Sequence, residues 1–318
     1  MDFTDLPDLA SARVGGKALF ANDDFFAARS NLVRPEAAVF VPGKYTARGK
    51  WMDGWESRRR RVPGHDWCIV RLGLRGSVRG VDIDTSHFNG NQPESASLEG
   101  CDLRGSATSL RNLERAAWRE LLPAAPLKPS AHHLLPVESA SPVTHVRLNI
   151  FPDGGVARLR VHGEVAVDLE RLRGRAVDLA AVENGGVVLS ASDSHFGRKE
   201  HLNLPGRASS MAEGWETRRR RGPGHDWAIV RLGAAGRIER IEVDTNHFKG
   251  NYPESFSLEA RHDPEMEWTD VIPRTKLRAH ARHLFAKELR AHGPFTHVRL
   301  RIYPDGGVSR LRVHGRIV

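Results

Sequence analysis

Cysteine is almost missing from this chain: 318 residues contain only Cys68 and Cys101. That excludes a disulfide scaffold and a paired-cysteine zinc site, and it fits a reducing compartment. Lysine is scarce too, eight of the 48 Lys and Arg residues, so the formal charge of +9 is carried mainly by arginine. No stretch comes near the roughly 20 apolar residues of a membrane helix. The first residues, Met1 to Asp5, are acidic and hold no apolar run, so no signal peptide is expected. The expectation is a cytoplasmic protein with no membrane partner. The G-x-S-x-G elbow, the P-loop and the dinucleotide glycine pattern are absent as well, which leaves serine-nucleophile and nucleotide chemistry without residues. Asp and Glu are interleaved with the arginines along the chain, so no nucleic-acid partner is expected. A small anion is the better match, because guanidinium suits bidentate recognition of a carboxylate.

What the chain does have is one long stretch, twice. Residues 54–99 and 214–259 agree at 30 of 46 positions without a gap, and residues 144–163 and 296–315 agree at 17 of 20. A repeat of this length means two copies of one domain. The expected domains are 1–170 and 171–318. Cys68 and Cys101 face Ala228 and Arg261 in the other copy, so the fold needs neither thiol. An offset of 170 early in the repeat falls to 160 by Gly54, which leaves the first copy about ten residues longer, around Val39 to Trp51. Such an insertion either lines a site or lengthens a hairpin.

Most of the remainder alternates with period two. Val81 and Ile83 alternate with Asp82 and Asp84, Val146, Leu148 and Ile150 with Arg147 and Asn149, and Leu159 and Val161 with Arg158, Arg160 and His162. Each reads as a strand with one buried face. Pro152-Asp153-Gly154-Gly155, repeated at 304–307, reads as a hairpin turn between two of them. The spacing of Leu110, Leu113, Ala117 and Leu121 predicts a helix over 108–122, and a weaker apolar face predicts another over 275–291. Many short strands between Gly/Pro turns predict an all-β fold of two tandem jelly-roll β-sandwich domains.

At apolar positions the copies exchange Val and Ile freely, as at Val78/Ile238, Val81/Ile241 and Ile83/Val243, while three polar clusters persist. In the first cluster Trp55 and Glu56 precede Arg58, Arg60 and Arg61, with Glu216, Arg218, Arg220 and Arg221 in the second copy. The carboxylate suits acid–base work and the arginines a substrate clamp, against a solvated arginine run. In the second, Gly64-His65-Asp66-Trp67, His65 and Asp66 are an acid–base candidate and its orienter, against a turn with a capping Asp. His225 and Asp226 are the equivalents. The third offers Asp84, His87 and Asn91 after a strand, with Asp244, His247 and Asn251, against a turn plugged by Phe88. No HxH or HExxH spacing implies a metal; none is required, and a divalent ion held by His65, His87 and Asp84 stays open.

The run Lys50 to Arg61, the Gly-His-Asp-Trp at 64–67 and Asp84 to Asn91, in a duplicated layout, resemble the allantoicase (allantoate amidinohydrolase) family from about Asp8 to Val318. The resemblance implies two domains of the galactose-binding-like type and conversion of allantoate and water to ureidoglycolate and urea. Allantoate, one carboxylate and two ureido groups on a single carbon, matches an arginine clamp beside amide and carboxylate groups. Whether each copy has its own site or both build one remains open at this level, as does a homo-oligomer. The rival reading is a non-catalytic carbohydrate- or small-anion-binding pair of jelly rolls, because a fold alone does not fix function.

Overall fold

The computed structural model describes residues 2–105, 109–139 and 141–318. The chain divides into two compact units, Met1–Ala166 and Val167–Val318, slightly ahead of the boundary expected at residue 170. Each is a jelly-roll β-sandwich of antiparallel strands, as the period-two pattern predicts.

One strand of 19 residues, Asp66–Asp84, organises the first unit. Its first part, Asp66 to Arg71, pairs with Lys17–Ala21 along one edge and Val143–Phe151 along the other. The register breaks between Arg71 and Gly76. The second part pairs with Arg158–Val165 and His132–Pro136. The same strand therefore serves both layers of the sandwich. Ser95–Cys101 lies between Val143–Phe151 and Arg119–Pro126. Val70, Val81, Ile83, Leu98, Leu148 and Leu159 are fully buried between the layers, where apolar burial drives folding. The second unit repeats the plan around Asp226–Asp244, which pairs first with Val187–Ala191 and Phe295–Tyr303, then with Arg310–Ile317 and Arg282–Phe285. Both cysteines are buried and free.

Three local expectations change. The segment 152–155 is no hairpin turn. Val143–Phe151 pairs with the first part of the long strand and Arg158–Val165 with the second, so the turn carries the chain from one layer to the other. The predicted helix over 108–122 shrinks to Leu110–Glu114, and Arg119–Pro126 is a strand on Ser95–Cys101; Thr108 lies outside the described residues. The predicted helix over 275–291 is absent. Arg282–Phe285 pairs with Ile241 to Asp244, burying His283 and Phe285 while Arg282 and Leu284 face out. Ladder pairing and period-two burial override weak helical spacing there.

The first and third polar clusters meet at one end of each sandwich. In the first unit Trp55–Glu56 pairs with Gly155–Val156, and Ala27 bridges to Glu56. Phe88 is fully buried beneath this end. Only glycine fits at 155, because a Cβ there would lie 1.9 Å from the Phe88 ring.

Candidate active site

Glu56 is held half-buried at the end of the first sandwich, its backbone bonded to Phe26 and Ala27 on one side and its short strand paired to Gly155 on the other. Its Oε1 accepts a hydrogen bond from Asn91 Nδ2 at 2.8 Å. Burial pushes the carboxyl above the usual glutamate range, against the Asn91 hydrogen bond and the charge of Lys50. Asn91 is fixed in turn, since its carbonyl accepts from Gly155 N–H. Trp55 is fully buried with its indole N–H on the Asp23 carbonyl at 2.8 Å. It anchors the entry to the arginine run.

The arginines divide into two kinds. Arg58 Nε donates to Asp23 Oδ2 at 2.6 Å, and Arg60 Nη1 donates to Asp66 Oδ1 at 2.7 Å. The backbone N–H of Arg60 also donates to Asp153 at 2.8 Å, tying the run to the crossover turn. Arg59 and Arg61 are exposed.

His87 stands in the left-handed region, with φ of 70°, a strained conformation for a non-glycine residue. Its Nε2 lies 3.2 Å from the Ala38 carbonyl. A carbonyl only accepts, so that nitrogen carries the proton and Nδ1 is the basic one. The ring stacks on Phe40 at 5.9 Å, and Lys50 lies over the same Phe40 ring at 4.7 Å. The insertion contains a small hairpin, Tyr45–Thr46 paired with Gly49–Lys50, and its Phe40 packs against His87.

Asp66 and Asp84 are placed differently from Glu56. Asp66 is 1% exposed and takes Arg60 and Asn22 on Oδ1. Asp84 is 3% exposed and caps the turn through Ser86 N–H at 2.7 Å. Both hold loops in place.

The second unit reproduces the arrangement. Asn251 Nδ2 donates to Glu216 Oε1, and Arg220 pairs with Asp226. Arg218 N–H donates to Asp193 at 2.6 Å, Arg221 is exposed, and Asp244 is fully buried with Arg207 and the Asn246 N–H on it. His247 repeats the φ of 70° and the Nε2 contact, now to Ala208 at 3.0 Å. The chief difference follows from the missing insertion. Met211 sulfur approaches Asn251 Nδ2 at 3.3 Å, and His247 faces His280 where His87 faces Phe40.

His65 sits apart from Glu56, over Phe151 at 4.8 Å on the outer face of the sheet. There it borders a groove of about 410 Å³ with Trp67, Glu99, Arg147 and Asn149. His225 lies likewise over Tyr303, at 5.0 Å. Arg147 Nε and Asn149 Nδ2 both donate to Glu99 Oε2, at 2.6 and 2.9 Å, and the guanidinium holds the Glu99 carboxyl below the usual range. Sequence reasoning missed Glu99, Arg147 and Asn149. The available signal was that Glu99/Glu259 and Arg147/Arg299 recur in both copies, but single charges on strands read as a solvated face. Among the described residues, no group of three His, Cys, Asp or Glu side chains is arranged to hold a metal ion, so His65, His87 and Asp84 do not converge on one. Among the described residues, no helix is long and apolar enough to cross a membrane.

Comparison with known proteins points in one direction. The family model described as allantoicase repeat matches residues 7–166 and again 177–318. A protein of Burkholderia mallei named probable allantoicase 1 is 49% identical over 98% of this chain and 94% of its own length. One from Stutzerimonas stutzeri, named probable allantoicase, is also 49% identical, over 98% and 96%. Among solved structures, the crystal structure of allantoicase from Saccharomyces cerevisiae superposes with a TM-score of 0.84 at 35% identity, covering 97% of this chain and 92% of that one.

Proposed function

The chain belongs to the allantoicase family, and we propose that it hydrolyses allantoate to ureidoglycolate and urea with Glu56 and Glu216 as acid–base groups, one in each unit. The observation that carries this assignment is the Glu56–Asn91 pair: a half-buried carboxyl, pushed above its usual range by burial and oriented by an amide, at the loop end of the sandwich. A carboxyl raised in this way holds a proton more readily than an ordinary glutamate, as acid–base chemistry requires.

The reaction replaces one ureido group by hydroxyl at the carbon that carries both. Glu56 takes the N–H proton of the ureido group that stays, the C–N bond to the departing group breaks, and urea leaves with a proton from His87. Water then adds to the acyl-imine carbon, its proton returns to the histidine, and Glu56 gives the proton it took back to the imine nitrogen. The sum is allantoate plus water giving ureidoglycolate plus urea. Arg61 and Lys50 are the cations offered to the substrate carboxylate. Arg58 and Arg60, already held by Asp23 and Asp66, support the run, and Asp66 and Asp84 position loops. His247, Arg221 and Asn251 take the corresponding parts in the second unit, with Arg218, Arg220, Asp226 and Asp244 in the supporting ones. His65 and His225 lie on the sheet face and have no part in this assignment. The carbohydrate-binding alternative draws support only from the fold class.

Purified protein with allantoate tests the reading: urea and ureidoglycolate should appear together. The Glu56→Gln/Glu216→Gln chain should lose turnover by about 10²- to 10⁴-fold, the usual contribution of general acid–base groups, and near-normal turnover would remove the glutamates from the mechanism.

A further inference from the structure

The groove on the outer sheet face of the first unit is unused by that mechanism, and its hydrogen bonding is incomplete. Asn149 is 5% exposed. Its Nδ2 donates to Glu99 Oε2 at 2.9 Å and to Ser97 Oγ at 3.2 Å. A carboxylate only accepts, so the amide cannot be turned round, and its Oδ1 is fixed on the opposite side. That Oδ1 is buried and has no hydrogen-bond partner among the described residues. An unpaired buried acceptor is costly, and folded proteins keep few of them.

The second unit supplies an internal control. Where the first unit has Asn149, the second has Arg301, whose Nη1 reaches Glu259 Oε1 at 2.8 Å, while Arg299 occupies the other oxygen of the same carboxylate. Phe151 is replaced by Tyr303, whose hydroxyl lies 3.1 Å from Ser257 Oγ. The second copy therefore puts arginine and tyrosine at these positions, each with a partner on its own sheet face. The first copy keeps the paired carboxylate and leaves the space open.

The open groove has a definite chemistry. Asn149, Glu99 and Glu120 line it with acceptor-bearing side chains, the Arg147 charge is already matched by Glu99, and the rings of Trp67 and Phe151 border the space. With two carboxylates against one guanidinium, it does not suit an anion. It suits a small, planar, uncharged molecule with N–H groups along its edge, which gives donors to the acceptors and a flat face to the rings. We propose that this groove is a second ligand site, specific to the first unit, that binds a ureido group. The choice of a ureido group among N–H donors rests on the reaction proposed above.

Titration of the intact chain with N-methylurea tests this, read at the indole 15N–1H resonance of Trp67, which is assigned by its loss in Trp67→Phe. The resonance should move saturably. Asn149→Arg, which installs the second unit's solution, should weaken the response about tenfold or more, the scale of losing a hydrogen bond to a buried acceptor. The other tryptophan resonances report whether that variant is folded. If it is not, Glu120→Ala, at an exposed position, should weaken the response severalfold. Glu56→Gln/Glu216→Gln should leave it unchanged. A Trp67 resonance that never saturates, or one that titrates equally in both groove variants, overturns the proposal. Failure of the catalytic assignment would show instead as normal urea release by the Glu56→Gln/Glu216→Gln chain, a measurement in which Trp67 takes no part.

Discussion

Asp53 and Arg158, 105 residues apart in sequence, meet at 2.8 Å inside the first unit, 5% and 1% exposed. The guanidinium also donates to the carbonyls of Glu36, Asp53 and Ala157, and the Asp53 carboxylate accepts from the Val39 N–H. The pair thereby fastens the start of the insertion to the strand beneath it. Removing one partner leaves the other charged and buried, so Asp53→Ala should cost about 3–5 kcal/mol. Urea denaturation measures it; a loss within experimental error would mean that water takes over the vacated site.

The raised carboxyl of Glu56 sets a pH signature. In a chain carrying Glu216→Gln only the first unit reports. If Glu56 acts as the base, its activity should fall on acidification at a pH above the ordinary carboxylate range, because protonation removes the base. Lys50→Met withdraws a charge that favours the ionised form, so it should move this limb further up. A pH profile of kcat/KM that stays flat through the weakly acidic range would contradict the role.

His132 and Asp82 form a pH-sensitive joint, Nδ1 to Oδ2 at 2.7 Å, where the second unit uses Arg282 and Glu242 at 2.6 Å. The Asp82 hydrogen bond raises the His132 pKa. Its contribution is therefore fully present below the unfolded value, about 6.5, and is lost as pH rises through the elevated folded value. The histidine side chain is 60% exposed, so solvent screening keeps the effect near or below about 1 kcal/mol. Denaturation midpoints of His132→Arg and wild type should separate as pH rises through the neutral range; parallel curves would show that the pair is not coupled to folding.

His145 works in the opposite direction. It is 1% exposed, and burial lowers its pKa to about 4. The neutral ring is the one the fold accepts, so its contribution is present above the unfolded value and declines as pH falls from there toward about 4. His297 is shifted in the same direction by burial. His145→Gln should flatten the acid limb of stability for the first unit, as followed by thermal melting between neutral and mildly acidic pH. An unchanged slope would mean the ring is hydrated.

Much of this architecture was legible before any coordinates. The alternation at Val146, Leu148 and Ile150 fixed both the strand and its inner face, because a period of two has one geometric meaning. Comparing the copies drew attention to Glu56, Asn91 and His87, which come to the same end of the sandwich. The misreadings have physical causes. Residues 282–285 form four positions of ladder, too short for alternation to outweigh helical spacing. Pro152 to Gly155 carries every mark of a tight turn, yet local residues cannot say whether the next strand pairs with the last one or joins the opposite sheet. Glu99 and Arg147 were passed over because their partnership spans 48 positions, and no local spacing encodes it.

The 19-residue strand Asp66–Asp84 has a consequence for how the first unit comes apart. Because one uninterrupted segment is hydrogen-bonded into both layers, neither layer has an independent melting event. Freeing the segment from one sheet pulls on the other. Backbone amides of Val70 and Val81, on opposite sides of the break in register, should then exchange with solvent through the same global opening. The layered sandwich behaves, in cooperativity, as a single foldon.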